Sequence, residues 1–209
     1  MLTKLDQCVL GFDKFLRVLC PAWSQQATSP ADDCPELDLS GLEKHQAISM
    51  MRVNVAGEVA AQGLYRGQLL FASDDKLRVD LTQAADEEMD HYAWCVQRLR
   101  ELDARPSVFN PLWYAGAFSL GLFAALLGDK KSLGFIIATE EQVGRHLASH
   151  LEALSSKDEK SRAIVWQMYK DELAHADEAA AQGGQRLPGF VQEMMHWMAQ
   201  VMIKASRIV

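Results

Sequence analysis

Apolar residues return at steps of three and four along most of this chain, and no convincing alternation of two appears anywhere in it. Leu2, Leu5, Val9, Phe12, Leu16 and Leu19 mark a first amphipathic helix. The stretch CPAWSQQATSPADDCPELDLSG, residues 20–41, carries three prolines and many small polar residues and predicts an irregular connector. Helical patterning resumes from Leu42 to about Leu70 and from Leu77 to about Leu102, with FASDDK at 71–76 between them. DARPSVFNP, 103–111, predicts a loop before the Ala/Leu-rich run LWYAGAFSLGLFAALLG, 112–128. GDKKS turns the chain into a helix from about Leu133 to Leu154. SSKDEKS, 155–161, turns it again, and Ala163 to Ala181 is helical. GGQRLPG, 183–189, joins a glycine stop to a proline near the start of a last helix, which runs to about Arg207. The pattern predicts an all-α chain of six or seven helices.

The chain's 209 residues suffice for one good-sized core. We expect a single domain over 1–209, with residues 1–41 an N-terminal helix and connector and 42–209 a bundle with accessory helices. A net charge of −7 argues against nucleic acid as a partner. Cys8, Cys20, Cys34 and Cys95 show no C-x-x-C spacing and read as free thiols of a reducing compartment. The N-terminus lacks a basic segment followed by a long apolar core, so the expected location is the cytoplasm or its membrane face.

The chemistry lies in glutamate and histidine spacing. Thirteen glutamates and six histidines placed at random give about 0.4 Glu-x-x-His matches. The chain has three: Glu88/His91, Glu172/His175 and Glu193/His196. A carboxylate-bridged di-metal bundle needs a Glu from each of two helices and a Glu-x-x-His from each of two others. Glu58 lies 30 residues before Glu88, and Glu140 lies 32 before Glu172. Two residues of an antiparallel hairpin stand at one height when the turn falls midway between them. The midpoints are 73 and 156, inside the two clearest turns. Glu193/His196 has no such upstream partner, since position 163 is Ala, and reads as structural. Four carboxylates and two imidazoles, without a thiolate, suit iron or manganese better than a closed zinc site. Glu87 and Glu141, about 100° round the helix from their neighbours, are expected to face elsewhere.

RVNVAGEVAAQGLYRGQ (52–68), EEMDHYAWCVQRLREL (87–102), NPLWYAGAFSLGLFAALLGDKKSLGF (110–135) and DELAHADEA (171–179) resemble the demethoxyubiquinone hydroxylases. These are membrane-associated di-iron monooxygenases of ubiquinone biosynthesis. The resemblance runs from about Ser40 to the C-terminus. It implies a ferritin-like four-helix bundle with additional N-terminal, apolar and C-terminal helices, and two iron ions per chain. It implies metal ligands at Glu58, Glu88, His91, Glu140, Glu172 and His175, the set the hairpin spacing also selects. The implied reaction is O2-dependent hydroxylation of the ring of a polyprenyl-methoxy-methyl-benzoquinol. One departure is plain: Val55 stands where the family usually carries a histidine that is not a ligand.

His146, Tyr169 and Asp171 are candidates for holding the ligand histidines in place. Residues 106–128 carry no charge. The preferred reading is a helix that packs on the bundle and dips into one leaflet, through Phe118, Leu122 and Leu126, taking the quinol sideways from the bilayer. A purely internal core helix and a membrane span are the alternatives. Electrons would come from NADH or a reductase, although no nucleotide-binding glycine motif is present. Other proteins of ubiquinone biosynthesis are possible partners, and the cytoplasmic face of the cell membrane is the expected location. Two further readings stay open: another ferritin-like di-iron protein for iron storage or peroxide reduction, and a non-enzymatic membrane-associated scaffold.

Overall fold

The computed structural model describes residues 28–208, so the helix expected over Leu2–Leu19 lies outside the described residues. Six helices follow the connector: α1 (Gly41–Leu69), α2 (Asp75–Glu101), α3 (Asn110–Leu126), α4 (Asp129–Ala153), α5 (Glu159–Ala181) and α6 (Gly189–Ile208). The described residues contain no strand.

Polar caps set where the helices begin. Ser40 accepts a hydrogen bond from the Glu43 N–H, and the Glu43 carboxylate accepts one from the Ser40 N–H, a reciprocal capping box on α1. Asp74 caps α2 through the Leu77 N–H at 2.9 Å, and Asp158 caps α5 through the Ser161 N–H at 3.1 Å. These caps explain why α2 and α5 begin before the first apolar residues that the periodicity picks out, Leu77 and Ala163. Between α3 and α4 the chain turns on Gly128, whose φ of 94° lies in the left-handed region that favours glycine.

α1 and α2 form one hairpin and α4 and α5 the other, joined by the short links 70–74 and 154–158. The four pack as a bundle around Val59, Tyr92, Leu99, Leu147 and Met168, all 1% exposed or less. Val55 belongs to this apolar cluster and is fully buried, so packing replaces any polar contact a histidine would make there. Arg98 locks one end of the bundle. Its buried guanidinium donates to Glu36 of the connector, Glu101 of α2, and Asp158 and Ser161 at the start of α5.

α3 lies along α1 with almost no space between the backbones. A Cβ on Gly67 would stand 2.2 Å from the Phe118 carbonyl oxygen, and one on Gly121 would stand 2.1 Å from that of Leu64. Tyr114, Ala124 and Ala125 are buried, while Leu112, Phe123 and Leu126 are 54–62% exposed. Phe118 packs against the core and Leu122 is half-buried, so the outward face expected of Phe118, Leu122 and Leu126 is instead Leu112, Phe123 and Leu126. The span reading fails: among the described residues no helix is long and apolar enough to cross a membrane. At about 1.5 Å per residue, the 17 residues of α3 reach about 25 Å, short of a hydrocarbon core of about 30 Å. α6 packs across α1 and meets α3 where Trp113 donates to the Ser206 hydroxyl at 3.1 Å.

Candidate metal centre

Glu58 of α1, Glu88 and His91 of α2, Glu140 of α4, and Glu172 and His175 of α5 all lie in the interior, none more than 8% exposed. Ligand atoms of Glu58, Glu88, His91 and Glu172 stand within 4.8 Å of one another. Glu140 adjoins Glu172. His175 joins through Glu88, which sits between the two imidazoles: Oε2 is 3.0 Å from His91 Nδ1, and Oε1 is 3.3 Å from His175 Nδ1. Glu58 Oε2 and Glu172 Oε1 are each 3.9 Å from His91 Nδ1. Glu193 and His196 are exposed on α6 and contribute nothing to this cluster, although His196 lines the cavity that reaches Glu58.

Four buried atoms of these six side chains have no hydrogen-bond partner: Glu58 Oε2, Glu88 Oε1, Glu172 Oε2 and His175 Nδ1. The short Glu88–His175 approach is too poorly aligned for a hydrogen bond. Each unpaired group costs about 1–3 kcal/mol when nothing fills its valence. Four of them in one cluster are what a cation site leaves behind.

The protonation pattern agrees. Burial pushes Glu58 and Glu172 well above the ordinary carboxylate range, and Glu88 beside them adds repulsion. Burial also raises Glu140, although hydrogen bonds with Glu172 and Tyr65 oppose it. Glu88 is equally buried, yet contacts from His175 and His91 draw it below the ordinary range. Burial works against charge on the imidazoles. Asp171 and Glu88 nevertheless raise His91 well above its ordinary value, and Glu88 raises His175 to about 10. Protons thus neutralise the cluster where metal charge would otherwise do so.

The family model for ubiquinone biosynthesis protein COQ7 matches residues 45–206. The chain belongs to the COQ7 family. A 3-demethoxyubiquinol 3-hydroxylase of Chromobacterium violaceum is 52% identical over 203 residues, covering 97% of this chain and 98% of its own. Proteins of the same name from Nitrosomonas europaea and Nitrosospira multiformis are each 46% identical over 202 residues, covering 97% of both chains.

In this COQ7-family chain the imidazoles are held crosswise. His91 of α2 directs Nε2 at Asp171 of α5, at 3.1 Å, and His175 of α5 directs Nε2 at Glu87 of α2, at 2.7 Å. Each partner is the residue just before the glutamate of the opposite Glu-x-x-His. Gln167 donates to Asp171 and steadies it. Glu87, expected to face elsewhere, does turn from the glutamates, but that direction brings it to α5. The doubled acidic pair, Glu87-Glu88 and Asp171-Glu172, was the available sequence signal.

Both outward ring nitrogens are therefore occupied, and neither takes His146 or Tyr169. Tyr169 stacks on Trp166 with centroids 5.7 Å apart. His146 packs edge-on against His150 at 4.1 Å, where burial and the nearby Arg207 lower it to about 4. Sequence reasoning also missed Tyr65. It lies two turns beyond Glu58 on the same face of α1 and donates to Glu140 Oε1 at 2.7 Å. Burial and the carboxylates keep its phenol protonated.

Proposed function

We propose that this chain is a di-iron monooxygenase that uses O2 to hydroxylate the ring of a polyprenyl-methoxy-methyl-benzoquinol, carrying demethoxyubiquinol to demethylubiquinol in ubiquinone biosynthesis. The observation that carries the reading is the set of unpartnered inward atoms on Glu58, Glu88, Glu172 and His175, in a chain whose relatives bear the name 3-demethoxyubiquinol 3-hydroxylase. Glu58, Glu88 and His91 would hold one iron, and Glu140, Glu172 and His175 would hold the other. The contacts of Glu88 with both imidazoles support one shared cluster. Bound iron supplies the reduction of O2 and the oxidising power.

The chain's own residues set the conditions. Asp171 and Glu87 each accept the Nε2 proton of a histidine, which leaves the Nδ1 lone pair facing inward as a ligand must. Tyr65 holds Glu140 by donating to one oxygen and leaves the other carboxylate oxygen to the metal. Burial of all six side chains keeps bulk water from the oxidising centre.

Iron storage or peroxide reduction would use the same ligands. A cavity of about 330 Å³ against Glu58 favours an enzyme that admits an organic ring. The protein sits peripherally on the cytoplasmic face of the membrane, through exposed Leu112, Phe123 and Leu126 of α3 and Phe190 and Trp197 of α6. NADH or a reductase supplies electrons, and other ubiquinone-biosynthesis proteins are candidate partners. The test is iron-loaded protein given reductant, O2 and a demethoxyubiquinol. Mass spectrometry should find one added oxygen atom, labelled when 18O2 is used. An unchanged substrate mass refutes the reading.

A further inference from the structure

The cavity against Glu58 lies between α1, α4 and α6. Asn54, Val143, His146, Ala199 and Ile203 are among its lining residues, and α3 contributes none. Asn54 is one turn before Glu58 on α1, so the two side chains leave the same face about 6 Å apart along the axis. It is 4% exposed, yet neither Nδ2 nor Oδ1 has a hydrogen-bond partner. An amide buried with both ends unpaired is costly, and a metal ion, which takes no hydrogen bond, does not relieve it. Water or a polar ligand in the cavity does, and the ring oxygens of a quinol can replace that water.

Resting on the hydroxylase reading above, we propose that Asn54 positions the substrate ring: Oδ1 accepts from a phenolic O–H of the quinol, and Nδ2 donates to the neighbouring ring oxygen. At about 330 Å³ the cavity is near the lower end of small-molecule sites, about 300–1,000 Å³. It takes a substituted ring and leaves the polyprenyl tail outside. The tail leaves past α6. That helix lends Ala199 and Ile203 to the cavity wall while Trp197, Met198 and Val201 stand 42–69% exposed on its outer side. The pairing also sorts redox states. A quinone offers only acceptors and leaves Oδ1 unsatisfied, so Asn54 favours the quinol, and Asn54 is a positioning residue with a built-in preference.

Binding is read anaerobically on the full iron-loaded chain, by equilibrium dialysis of a short-tailed demethoxyubiquinol and of its quinone, with turnover measured separately. Asn54→Leu keeps the volume and removes both polar ends. It should retain iron and a wild-type melting temperature, bind the quinol at least tenfold more weakly, raise KM more than it lowers kcat, and lose the quinol preference. Unchanged binding or an intact preference overturns the proposal. So does a large loss of iron or melting temperature, which would make Asn54 a structural residue. Ala199→Phe fills the cavity from α6 without altering Asn54 and should weaken quinol binding equally; wild-type binding by that variant also overturns it. A wild-type protein that binds quinol with the Asn54 dependence but adds no oxygen fails the hydroxylase reading alone. One that hydroxylates while Asn54→Leu binds normally fails this inference alone.

Discussion

Glu87→Ala is the substitution that probes the crosswise support of the imidazoles. It removes the acceptor 2.7 Å from His175 Nε2 and replaces none of the six inward side chains. The ring is then free to rotate or to change tautomer, and Nδ1 no longer faces the cluster by default. Loss of such a partner typically weakens metal binding about 10–100-fold, or about 1.4–2.7 kcal/mol. Exposure decides where in that range each variant falls. The Glu87 side chain is 45% exposed, so water substitutes for part of its contact. Asp171, at 31%, is less exposed and is held by Gln167. Glu87→Ala should weaken Fe(II) binding about tenfold and Asp171→Ala nearer a hundredfold. Each contact bridges α2 and α5 and serves a different imidazole, but both imidazoles touch Glu88, so the double variant should depart from additivity. The assay is anaerobic competition against a calibrated chelator, resolved by stoichiometry, with helical content checked by circular dichroism. Glu87→Gln keeps an acceptor without the charge and should recover part of the loss. Wild-type affinity in both alanine variants would refute the claim that these carboxylates orient the rings.

Other consequences are measurable. Glu172→Ala should lose metal and activity together, whereas Glu193→Ala, altering an exposed α6 residue, should lose neither, read by metal analysis and turnover. Without metal, His175 titrates at about 10 and holds its proton at neutral pH; iron must displace it, so binding releases protons and strengthens as pH rises towards that value. Calorimetry in two buffers of different ionisation heat counts the protons. Gly67→Ala forces a Cβ to 2.2 Å from a backbone oxygen and should cost about 3 kcal/mol, lowering Tm by about 6–12 °C, while Gly116→Ala on α3, with open space around it, should not lower Tm. Arg98→Leu strands Asp158, itself 1% exposed, and should destabilise by about 3–5 kcal/mol in urea unfolding. Making Leu112, Phe123 and Leu126 serine should reduce co-sedimentation with anionic liposomes; unchanged binding counts against the membrane-facing role of α3.

The hairpin arithmetic was legible because it depends only on rise per residue. Midpoints at 73 and 156 fall within or beside the observed links, so Glu58 meets Glu88 and Glu140 meets Glu172 at matched heights. Helix starts were less legible, since the first turns of α2, α4 and α5 are polar and carry no period. Glu87 and Tyr65 were hidden for another reason. Their partners, His175 and Glu140, lie 88 and 75 residues away on helices whose rotation about their own axes no local pattern fixes. The charge-free run was plain as composition, but its inner and outer faces were not. Gly63 and Gly67 of α1 draw α3 in so closely that Phe118 and Leu122 are taken from the surface.

The cluster therefore has two unlike sides. α2 and α5 each bring a Glu-x-x-His, and the residues behind their imidazoles are the outer carboxylates Asp171 and Glu87. α1 and α4 bring one glutamate each and form the cavity wall, with α6 as the third side. None of the cavity-lining residues comes from α2 or α5. The histidines are anchored on the side away from that cavity, by carboxylates that are themselves 31% and 45% exposed. The ring approaches past Glu58, which hydrogen-bonds Glu88 and leaves Oε2 unpartnered. Glu140 on the same side is tied to Tyr65. Of the two single glutamates, then, Glu58 is the one that meets the cavity, and Glu140 is the one held back from it.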